Sequence, residues 1–375
     1  MTATIDFCEL AVPGVRALQP YQPGKPIEEL QRELGLSQVV KLASNENPLG
    51  PSPMALHTLR QLDAELARYP DGNGFILKDA LSKKLGVATN QITLGNGSND
   101  VLEIIARTFV QPGQQVIYSR YAFAVYPIVT QAIGARHGIV DAIEWGHNLE
   151  GMLQRIDADT RLVFIANPNN PTGTWQTHDT LTDFMEQVPA QVIVVLDEAY
   201  FEYASDPAMG ITDYPDGMAL LSRYENLIVT RTFSKAYGLA GLRVGYAVAS
   251  KTITNLLNRV RQPFNVNSYA MHAAAAALGD HAHLEKSVQT NLQGMQQLTR
   301  RFDELGLQYI PSAGNFMSLD VAREALPVYE ALLKRGVIVR PVANYAMPRH
   351  LRISIGTEFE NATFLDTLQD VLGDR

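Results

Sequence analysis

Short apolar runs alternate with amphipathic stretches over the first two thirds of the chain. Each run is shorter than an average helix and is followed by polar residues, glycine or proline, a pattern typical of strands buried on both faces. The amphipathic stretch after 91–95 places Val101, Leu102 and Ile105 on one face, as in a helix packed on a sheet. The pattern therefore predicts an α/β fold with a mostly parallel central sheet flanked by helices. The clearest runs are VIY, LVFIA, VIVVL, LIVT and YAVA, at 116–118, 162–166, 192–196, 227–230 and 246–249.

The pattern changes near residue 264 and divides the chain. Alternating strands and helices give way there to an alanine-rich helix, MHAAAAALG, and the chain ends with two short strands around an irregular loop. Proline-dotted residues 1–30 resemble an arm that lies on another unit. We expect an arm that forms part of the small domain (1–40), a large domain (41–263) and a small α+β domain (264–375). Within the large domain, the stretch ALHTLRQLDAELARYPDG has apolar residues at helical spacing and predicts a helix that continues to Tyr69.

Composition narrows the function classes. With 46% hydrophobic and 19% charged residues, the chain reads as an ordinary globular protein, and its net charge of −8 argues against nucleic-acid binding. No apolar run suits a membrane span and residues 1–15 lack signal-peptide features, so we expect a cytoplasmic protein. The single cysteine, Cys8, permits no internal disulfide. His281 and His283 lie on different helical faces without further ligands, so no metal site is expected.

The segment RTFSKAYGLAGLRVGY (231–246) contains the first chemical signal. Lys235 follows a predicted strand, and Arg243 comes eight residues later with two glycines between them. A lysine amine forms an imine with an aldehyde, and an arginine binds phosphate through its planar fork. The two together suit an aldehyde that carries a phosphate, which describes pyridoxal 5′-phosphate (PLP). An isolated lysine and arginine in a loop usually lie on the surface, so this interpretation depends on the other segments.

An acid at the end of a buried run is the second signal. Asp197 follows VIVVL and is therefore expected at the carboxyl end of a strand, where ligands of open α/β sheets bind. A buried carboxylate there needs a cationic partner, and a protonated pyridine nitrogen would be one. Tyr200 follows three residues later and is expected to reach the same ligand from the same side. Taken alone, the segment also suits a simple strand-end cap.

The turn LGNGSND (94–100) joins a strand to an amphipathic helix. Ser98, Asn99 or Asp100 is expected to cap that helix, and its free N–H groups suit a phosphate. A dinucleotide fingerprint fits poorly, because Asp100 stands in place of the third glycine and no acid near residue 117 would receive a ribose. The turn thus predicts a phosphate site that includes Gly97 and Ser98.

These segments together resemble the fold-type I PLP-dependent aminotransferases. The wording SKAYGLAGLRVGY resembles the histidinol-phosphate aminotransferase branch, and matching motifs extend from Tyr21 to Arg352. The sequence departs from the family pattern at two positions. Ser98 is followed by Asn99 where the family usually has aspartate, so Asn99 is a weaker candidate for the phosphate site than Gly97 and Ser98. Phe123 stands where the family usually has a tyrosine that stacks on the pyridine ring. Stacking needs only an aromatic face, so Phe123 suffices.

The resemblance implies a role for each site residue. Lys235 would hold PLP as an imine, Asp197 would face the pyridine nitrogen, and Asn170 and Tyr200 would contact the phenolic oxygen. Substrate would meet Tyr21, Asn45 and Asn170, and its anionic groups would meet Arg340 and Arg352. Tyr69, in the RYP element, would reach into the neighbouring subunit of a homodimer. The phosphate would be anchored by Gly97, Ser98, Asn99, Thr232, Ser234, Arg243 and Tyr69.

The implied reaction is transamination between L-histidinol phosphate and 2-oxoglutarate, giving imidazole-acetol phosphate and L-glutamate, in histidine biosynthesis. An aromatic amino acid aminotransferase and a decarboxylase of the threonine-phosphate type would use the same motifs. A PLP-binding regulator is a further alternative, although residues 1–40 contain no basic DNA-binding module. A scaffold protein would not need Lys235, Asp197 and Asn170 together.

Overall fold

A seven-stranded sheet forms the centre of the larger part of the molecule. The computed structural model describes residues 6–20, 24–62 and 66–373. The sheet is parallel except for one strand, which runs antiparallel to both of its neighbours, so the predicted mostly parallel sheet is confirmed. In spatial order its strands are β2 (Ile92–Gly95), β8 (Gly245–Val248, the antiparallel one), β7 (Leu227–Thr232), β6 (Ile193–Asp197), β5 (Thr160–Ala166), β3 (Gln115–Ser119) and β4 (Arg136–Val140).

Helices cover both faces of this sheet, because the apolar runs leave no face for solvent. Every residue of β6 and β7 is buried, and burial of one large apolar side chain contributes roughly 1.5–3 kcal/mol. One face packs on α6 (Ser98–Phe109), α7 (Val125–Ile133) and α12 (Lys251–Val260). The other packs on α8 (Leu149–Arg155), α9 (His178–Gln187) and α11 (Gly217–Leu220).

A second, smaller sheet is built mainly from the C-terminal third. Its antiparallel strands are β12 (Arg340–Pro341), β13 (His350–Ser354), β10 (Phe316–Asp320) and β9 (Gln308–Ile310), in that order. A parallel pair joins β1 (Val40–Lys41) to β11 (Val337–Ile338), which attaches the N-terminal region to this unit. The buried cluster beside these strands also contains residues of α14 (His281–Glu304), α15 (Ala325–Lys334) and α16 (Glu358–Gly373).

The remaining elements are short or pack beside β2 and β8 of the large sheet. Helices α4 (Pro53–Gln61), α5 (Phe75–Leu85) and α13 (Ser268–Leu278) share one buried cluster with β2 and β8. The alanine-rich helix α13, predicted as the start of the small domain, thus packs with elements of the large sheet. The other helices are α1 (Phe7–Leu10), α2 (Pro13–Arg16), α3 (Ile27–Leu34) and α10 (Phe201–Ala204), with 3-10 turns at Thr89–Gln91, Pro207–Met209, Ala240–Leu242 and Ala343–Tyr345.

Two local predictions were wrong. The helix expected to continue to Tyr69 ends at Gln61, and a turn and a bend at residues 66–68 precede Tyr69. Helix α6 is preceded by Gly97, and no side chain caps it; the Asp100 carboxylate instead accepts the Asn96 N–H at 2.9 Å. Among the helices described, none is long and apolar enough to cross a membrane.

Candidate active site

Most of the predicted site residues line one cavity between the two sheets, at the carboxyl ends of β5, β6 and β7. This is where ligands of open α/β sheets bind, because the loops that follow parallel strands diverge there. The predicted residues found in its wall are Asn45, Ser98, Asn99, Phe123, Asn170, Asp197, Tyr200, Thr232, Ser234, Lys235, Arg243, Arg340 and Arg352.

Asp197, the last residue of β6, is buried and held by two neutral donors. The Thr230 hydroxyl donates to its Oδ1 at 3.0 Å, and the Tyr126 hydroxyl donates to its Oδ2 at 2.8 Å. Burial nevertheless raises the pKa of Asp197 above its ordinary value, because these bonds and nearby Lys235 offset only part of the lost hydration. The carboxylate would therefore gain from a cation bound in the cavity.

Tyr200 presents a neutral hydroxyl to the cavity. Its oxygen accepts from Asn45 Nδ2 at 2.9 Å and from Asn170 Nδ2 at 3.1 Å. Burial is the main cause that raises the pKa of Tyr200 to about 12, so the hydroxyl keeps its proton at neutral pH. Neither bond uses that proton, which can therefore be donated to a ligand oxygen.

Two arginines reach the cavity from the smaller sheet. Arg340 on β12 and Arg352 on β13 are partners in the strand register. Arg352 is buried; it donates to Asn170 Oδ1 at 2.6 Å and to the Ala43 carbonyl oxygen at 2.7 Å. The first bond fixes the Asn170 amide so that its NH2 group points at Tyr200. The same arginine thus orients part of the site and adds positive charge to it.

Lys235 lies in the loop after β7 and is partly buried. Its Nζ donates to the Ser44 carbonyl oxygen at 3.2 Å. Burial, reinforced by the positive charges of Arg352 and Arg243, lowers the pKa of Lys235 to about 8, although Glu46 and Asp197 act in the opposite direction. A neutral amine, the form that attacks an aldehyde, is therefore accessible near physiological pH.

The opposite end of the cavity is built to hold an anion. Ser98 is buried at the first turn of α6 and lines the cavity, so the free N–H groups of that turn lie at the cavity wall. Arg243 has a left-handed φ of 55° and donates to Ser234 Oγ at 3.4 Å. It also passes close to Gly97, where an added Cβ would lie 2.6 Å from Arg243 Nη2. The Thr232 hydroxyl donates to Ser234 Oγ at 3.1 Å. This end therefore combines backbone donors, hydroxyls and one guanidinium, a set that suits phosphate.

Tyr69, Tyr21 and Asn99 differ from the other predicted residues in their placement. Tyr69 is 82% exposed and stacks on Phe264 with ring centroids 4.7 Å apart, away from the cavity wall. Tyr21 lies outside the described residues. Asn99 is exposed at the edge of the cavity.

The sequence analysis did not identify Tyr126 or Thr230. Strand alternation offered a signal for Thr230, since it occupies the same face of β7 as Thr232. Tyr126 stands in the same aromatic segment as Phe123, but nothing local connects it to Asp197.

The fold and the site define an aminotransferase, and comparison with known proteins agrees. Residues 37–368 match the family model for aminotransferase class I and II. The chain is 59% identical to histidinol-phosphate aminotransferase 2 of Pseudomonas aeruginosa, covering 98% of this chain and 99% of that one. It is 56% identical to histidinol-phosphate aminotransferase 1 of Nitrosococcus oceani, covering 98% of each.

A solved structure gives the same result. The histidinol-phosphate aminotransferase of Sinorhizobium meliloti, determined in complex with PLP, superposes with a TM-score of 0.86 at 29% identity and 96% coverage of both chains. The chain belongs to the class I and II aminotransferase family. Within that family it belongs with the histidinol-phosphate aminotransferases.

Proposed function

We propose that the protein transfers the amino group of L-histidinol phosphate to 2-oxoglutarate, giving imidazole-acetol phosphate and L-glutamate, as a step of histidine biosynthesis. The observation that carries this proposal is the 56–59% identity, over nearly the full length, to relatives named for histidinol phosphate. The site suits both substrates, because Arg340 and Arg352 offer two guanidinium groups to a phosphate monoester or a carboxylate.

The cofactor of the proposed reaction is PLP, held as an imine on Lys235. The residues present fit this group at both ends: Asp197 would face the pyridine nitrogen, and Gly97, Ser98, Asn99, Thr232, Ser234 and Arg243 would surround the phosphate. Phe123 would lie against the ring, and Asn170 and Tyr200 would donate to the phenolic oxygen. When bound, PLP supplies a ring that accepts the electrons left at the substrate carbon.

The side chains of the chain itself would perform the proton transfers and the binding. Released when the substrate amine takes its place, Lys235 Nζ would be a free amine and would remove the proton from the substrate carbon that bears the amino group, a role helped by its lowered pKa. Asp197 would supply a negative charge where a protonated ring nitrogen needs one. Arg340, Arg352, Asn45 and Tyr21 would bind the substrate, and the Arg352 bond to Asn170 would link substrate binding to the position of that amide.

The proposal includes an assembly and a location. The protein would be a cytoplasmic homodimer in which Tyr69 contacts the phosphate in the neighbouring subunit, consistent with its exposure here. The functional division would be 1–40 as an arm that forms part of the small domain, 41–263 as the PLP-binding domain and 264–375 as the small domain. Helix α13 would then be the part of the small domain that packs on the large one.

A half-reaction titration tests the proposed substrate. The PLP-loaded protein is mixed separately with L-histidinol phosphate, L-glutamate and L-phenylalanine, and the loss of the lysine-bound cofactor band is followed by absorbance. We expect conversion at low concentrations of histidinol phosphate and only at high concentrations of phenylalanine. The reverse preference would assign the protein to aromatic amino acid metabolism, and release of carbon dioxide instead of an oxo product would indicate a decarboxylase.

A further inference from the structure

A buried ion pair lies on the side of the sheet opposite to the cavity. Arg231 Nε donates to Glu198 Oε2 at 2.8 Å, and Arg231 Nη2 forms an ion-pair contact with the same oxygen at 2.7 Å. The two side chains are 5% and 0% exposed. The other carboxylate oxygen, Glu198 Oε1, accepts the Gly217 N–H at 2.8 Å. Arg231 Nη2 also donates to Asp216 Oδ1 at 2.7 Å. Each carboxylate oxygen of Glu198 thus accepts a hydrogen bond from an N–H group.

The ring of Phe201 completes the enclosure of the guanidinium. Arg231 Cζ lies 3.3 Å from the centroid of that ring, so the cation is stacked as well as paired. Gly217 is required by this packing, since a Cβ there would lie 2.8 Å from Glu198 Oε1 and 2.7 Å from Leu196 Cδ2. The arrangement leaves little freedom for either charged side chain.

The backbone positions of the pair connect it to the site. Side chains alternate along β7, so Thr230 and Thr232 face the cavity side while Arg231, between them, faces the other side. Thr230 bonds Asp197, and Thr232 bonds Ser234, the residue before Lys235. Glu198 directly follows Asp197, and Tyr200 comes two residues later. Glu198 therefore lies next to residues that would contact the cofactor. Arg231 lies between two threonines that hydrogen-bond such residues.

We propose that the Arg231–Glu198 ion pair positions Asp197 and Tyr200 relative to Lys235 by locking the ends of β6 and β7 together. Both are positioning residues, since neither lines the cavity. The inference rests on the proposed function, because it assigns the pair a role in holding the residues that would contact PLP. Geometry makes arginine specific here: a lysine ammonium cannot donate to Glu198 and Asp216 from a planar fork stacked on Phe201.

The decisive variant separates positioning from folding. Breaking only one partner, as in Glu198→Gln, leaves a buried charge with too few partners and is expected to destabilise the fold. Replacing both partners by apolar residues of similar length, Glu198→Met with Arg231→Met, removes the lock without leaving either member of the pair charged and alone. The buried carboxylate of Glu202, which Arg231 also stabilises, keeps Lys84 as its other nearby cation. We expect the double variant to unfold at a urea concentration close to that of the wild type. The matched control is Asp216→Asn, which removes the charge of the half-exposed partner and keeps the buried pair.

The readouts are the visible circular dichroism of the lysine-bound cofactor and the kinetics with saturating oxo acid. In the double variant we expect a changed cofactor band and a fall in kcat of about tenfold with KM changed less than about twofold. The control is expected to keep the wild-type band and kcat. A stably folded double variant with a wild-type band and kcat would overturn the proposal. A double variant that does not fold would also overturn it, in favour of a purely structural role for the pair.

Failure of the proposed substrate is distinguishable from failure of this proposal. The circular dichroism measurement needs no amino donor, and the ratio of kcat between variant and wild type is taken with whichever donor reacts. If the wild type reacts with glutamate or phenylalanine but not with histidinol phosphate, the substrate assignment fails and the role of Arg231 and Glu198 is still tested. If the protein forms no lysine-bound cofactor band with PLP, both proposals fail.

Discussion

The charge state of Lys235 depends on pH in a range close to neutral. Its pKa is lowered to about 8, chiefly by burial. We predict that the cofactor-free protein captures PLP at a rate that rises with pH with a midpoint near 8, because only the neutral amine attacks the aldehyde. Stopped-flow absorbance at a series of pH values measures this midpoint. Lys235→Ala is the blank, since it cannot form the imine.

The direction of this shift also has a consequence for stability. Between the folded pKa of about 8 and the ordinary lysine pKa of 10.5, the unfolded chain binds more protons at this lysine than the folded one. The contribution of Lys235 to the free energy of unfolding therefore rises with pH across that window.

Arg352→Gln removes a neighbouring cation and is expected to move the capture midpoint to higher pH. A midpoint near 10.5 in the wild type would contradict the lowered pKa.

Tyr126 is a second residue whose effect can be isolated. Its ring stacks on Phe164 with centroids 4.4 Å apart, so Tyr126→Phe keeps the packing and removes only the donor to Asp197. We predict a loss of about 1.5–3 kcal/mol in the free energy of unfolding of the cofactor-free protein at pH 7, the range for hydrogen bonds to charged groups. Urea unfolding measures it. The loss should shrink as pH falls, because protonation of Asp197 makes the bond neutral.

The matched control for Tyr126→Phe is Tyr118→Phe. The Tyr118 hydroxyl bonds His137, a neutral partner, and lies outside the cavity wall. Its removal should cost only about 0.5–1.5 kcal/mol, with little change in PLP affinity. Equal losses in the two variants at pH 7 would show that Asp197 does not carry a charge there in the cofactor-free protein.

At the scale of the elements, the turn before α6 allows a test of the anion site. Gly97 has a φ of +80°, and a Cβ there would lie 2.6 Å from Arg243 Nη2. We predict that Gly97→Ala raises the dissociation constant for PLP at least about tenfold, because Arg243 must move away from the phosphate position. Equilibrium titration followed by absorbance measures the constant.

Gly113→Ala is the control for backbone strain in that experiment. Gly113 has a similar φ of +83°, but a Cβ there would meet no atom within 4 Å. Both variants should lose roughly 1–3 kcal/mol of stability from the left-handed backbone. Only Gly97→Ala should lose PLP affinity. Weakened PLP binding in both variants would attribute the effect to strain instead of to Arg243.

The strands of the large sheet were predictable because their signal is local. The run LVFIA lies within β5 and VIVVL overlaps β6, since a strand buried on both faces must be apolar throughout. The end of α4 was not predictable in this way. Apolar residues continue at helical spacing past Gln61, but Leu66 is 80% exposed and does not pack on the core of this chain. The spacing of apolar residues alone does not show whether a residue packs on the core of its own chain or lies on its surface.

In the site, too, local sequence signals were readable and long-range contacts were not. Lys235, Asp197 and Asn170 were found because each stands in a short recognisable segment at the end of a strand. The hydrogen bonds of Tyr126 to Asp197 and of Arg352 to Asn170 join residues 71 and 182 positions apart. The first pair depends on how α7 packs on the large sheet, and the second on how the two sheets are placed relative to each other. No local pattern encodes either. Residues that line the cavity could thus be predicted from the sequence, whereas the contacts that orient them could not.

At the scale of the whole molecule, the exposed aromatic side chains near residue 69 bear on assembly. Tyr69 and Phe264 are 82% and 44% exposed and stack on one another, and Phe75 nearby in the chain is 70% exposed. Exposed apolar groups of this kind mark association surfaces. We predict a homodimer by sedimentation equilibrium. In it, Tyr69 of each subunit would complete the phosphate site of the other.

Mixed dimers test whether Tyr69 acts across the interface. Lys235→Ala and Tyr69→Phe subunits are unfolded, mixed in equal amounts and refolded, at a PLP concentration that saturates the wild type but not Tyr69→Phe. If Tyr69 acts across the interface, each mixed dimer has one intact site, so activity recovers to about one quarter of the wild-type value with random pairing. If Tyr69 acts within its own subunit, no site in a mixed dimer is intact. Activity no higher than the average of the two separate variants would therefore exclude the shared site.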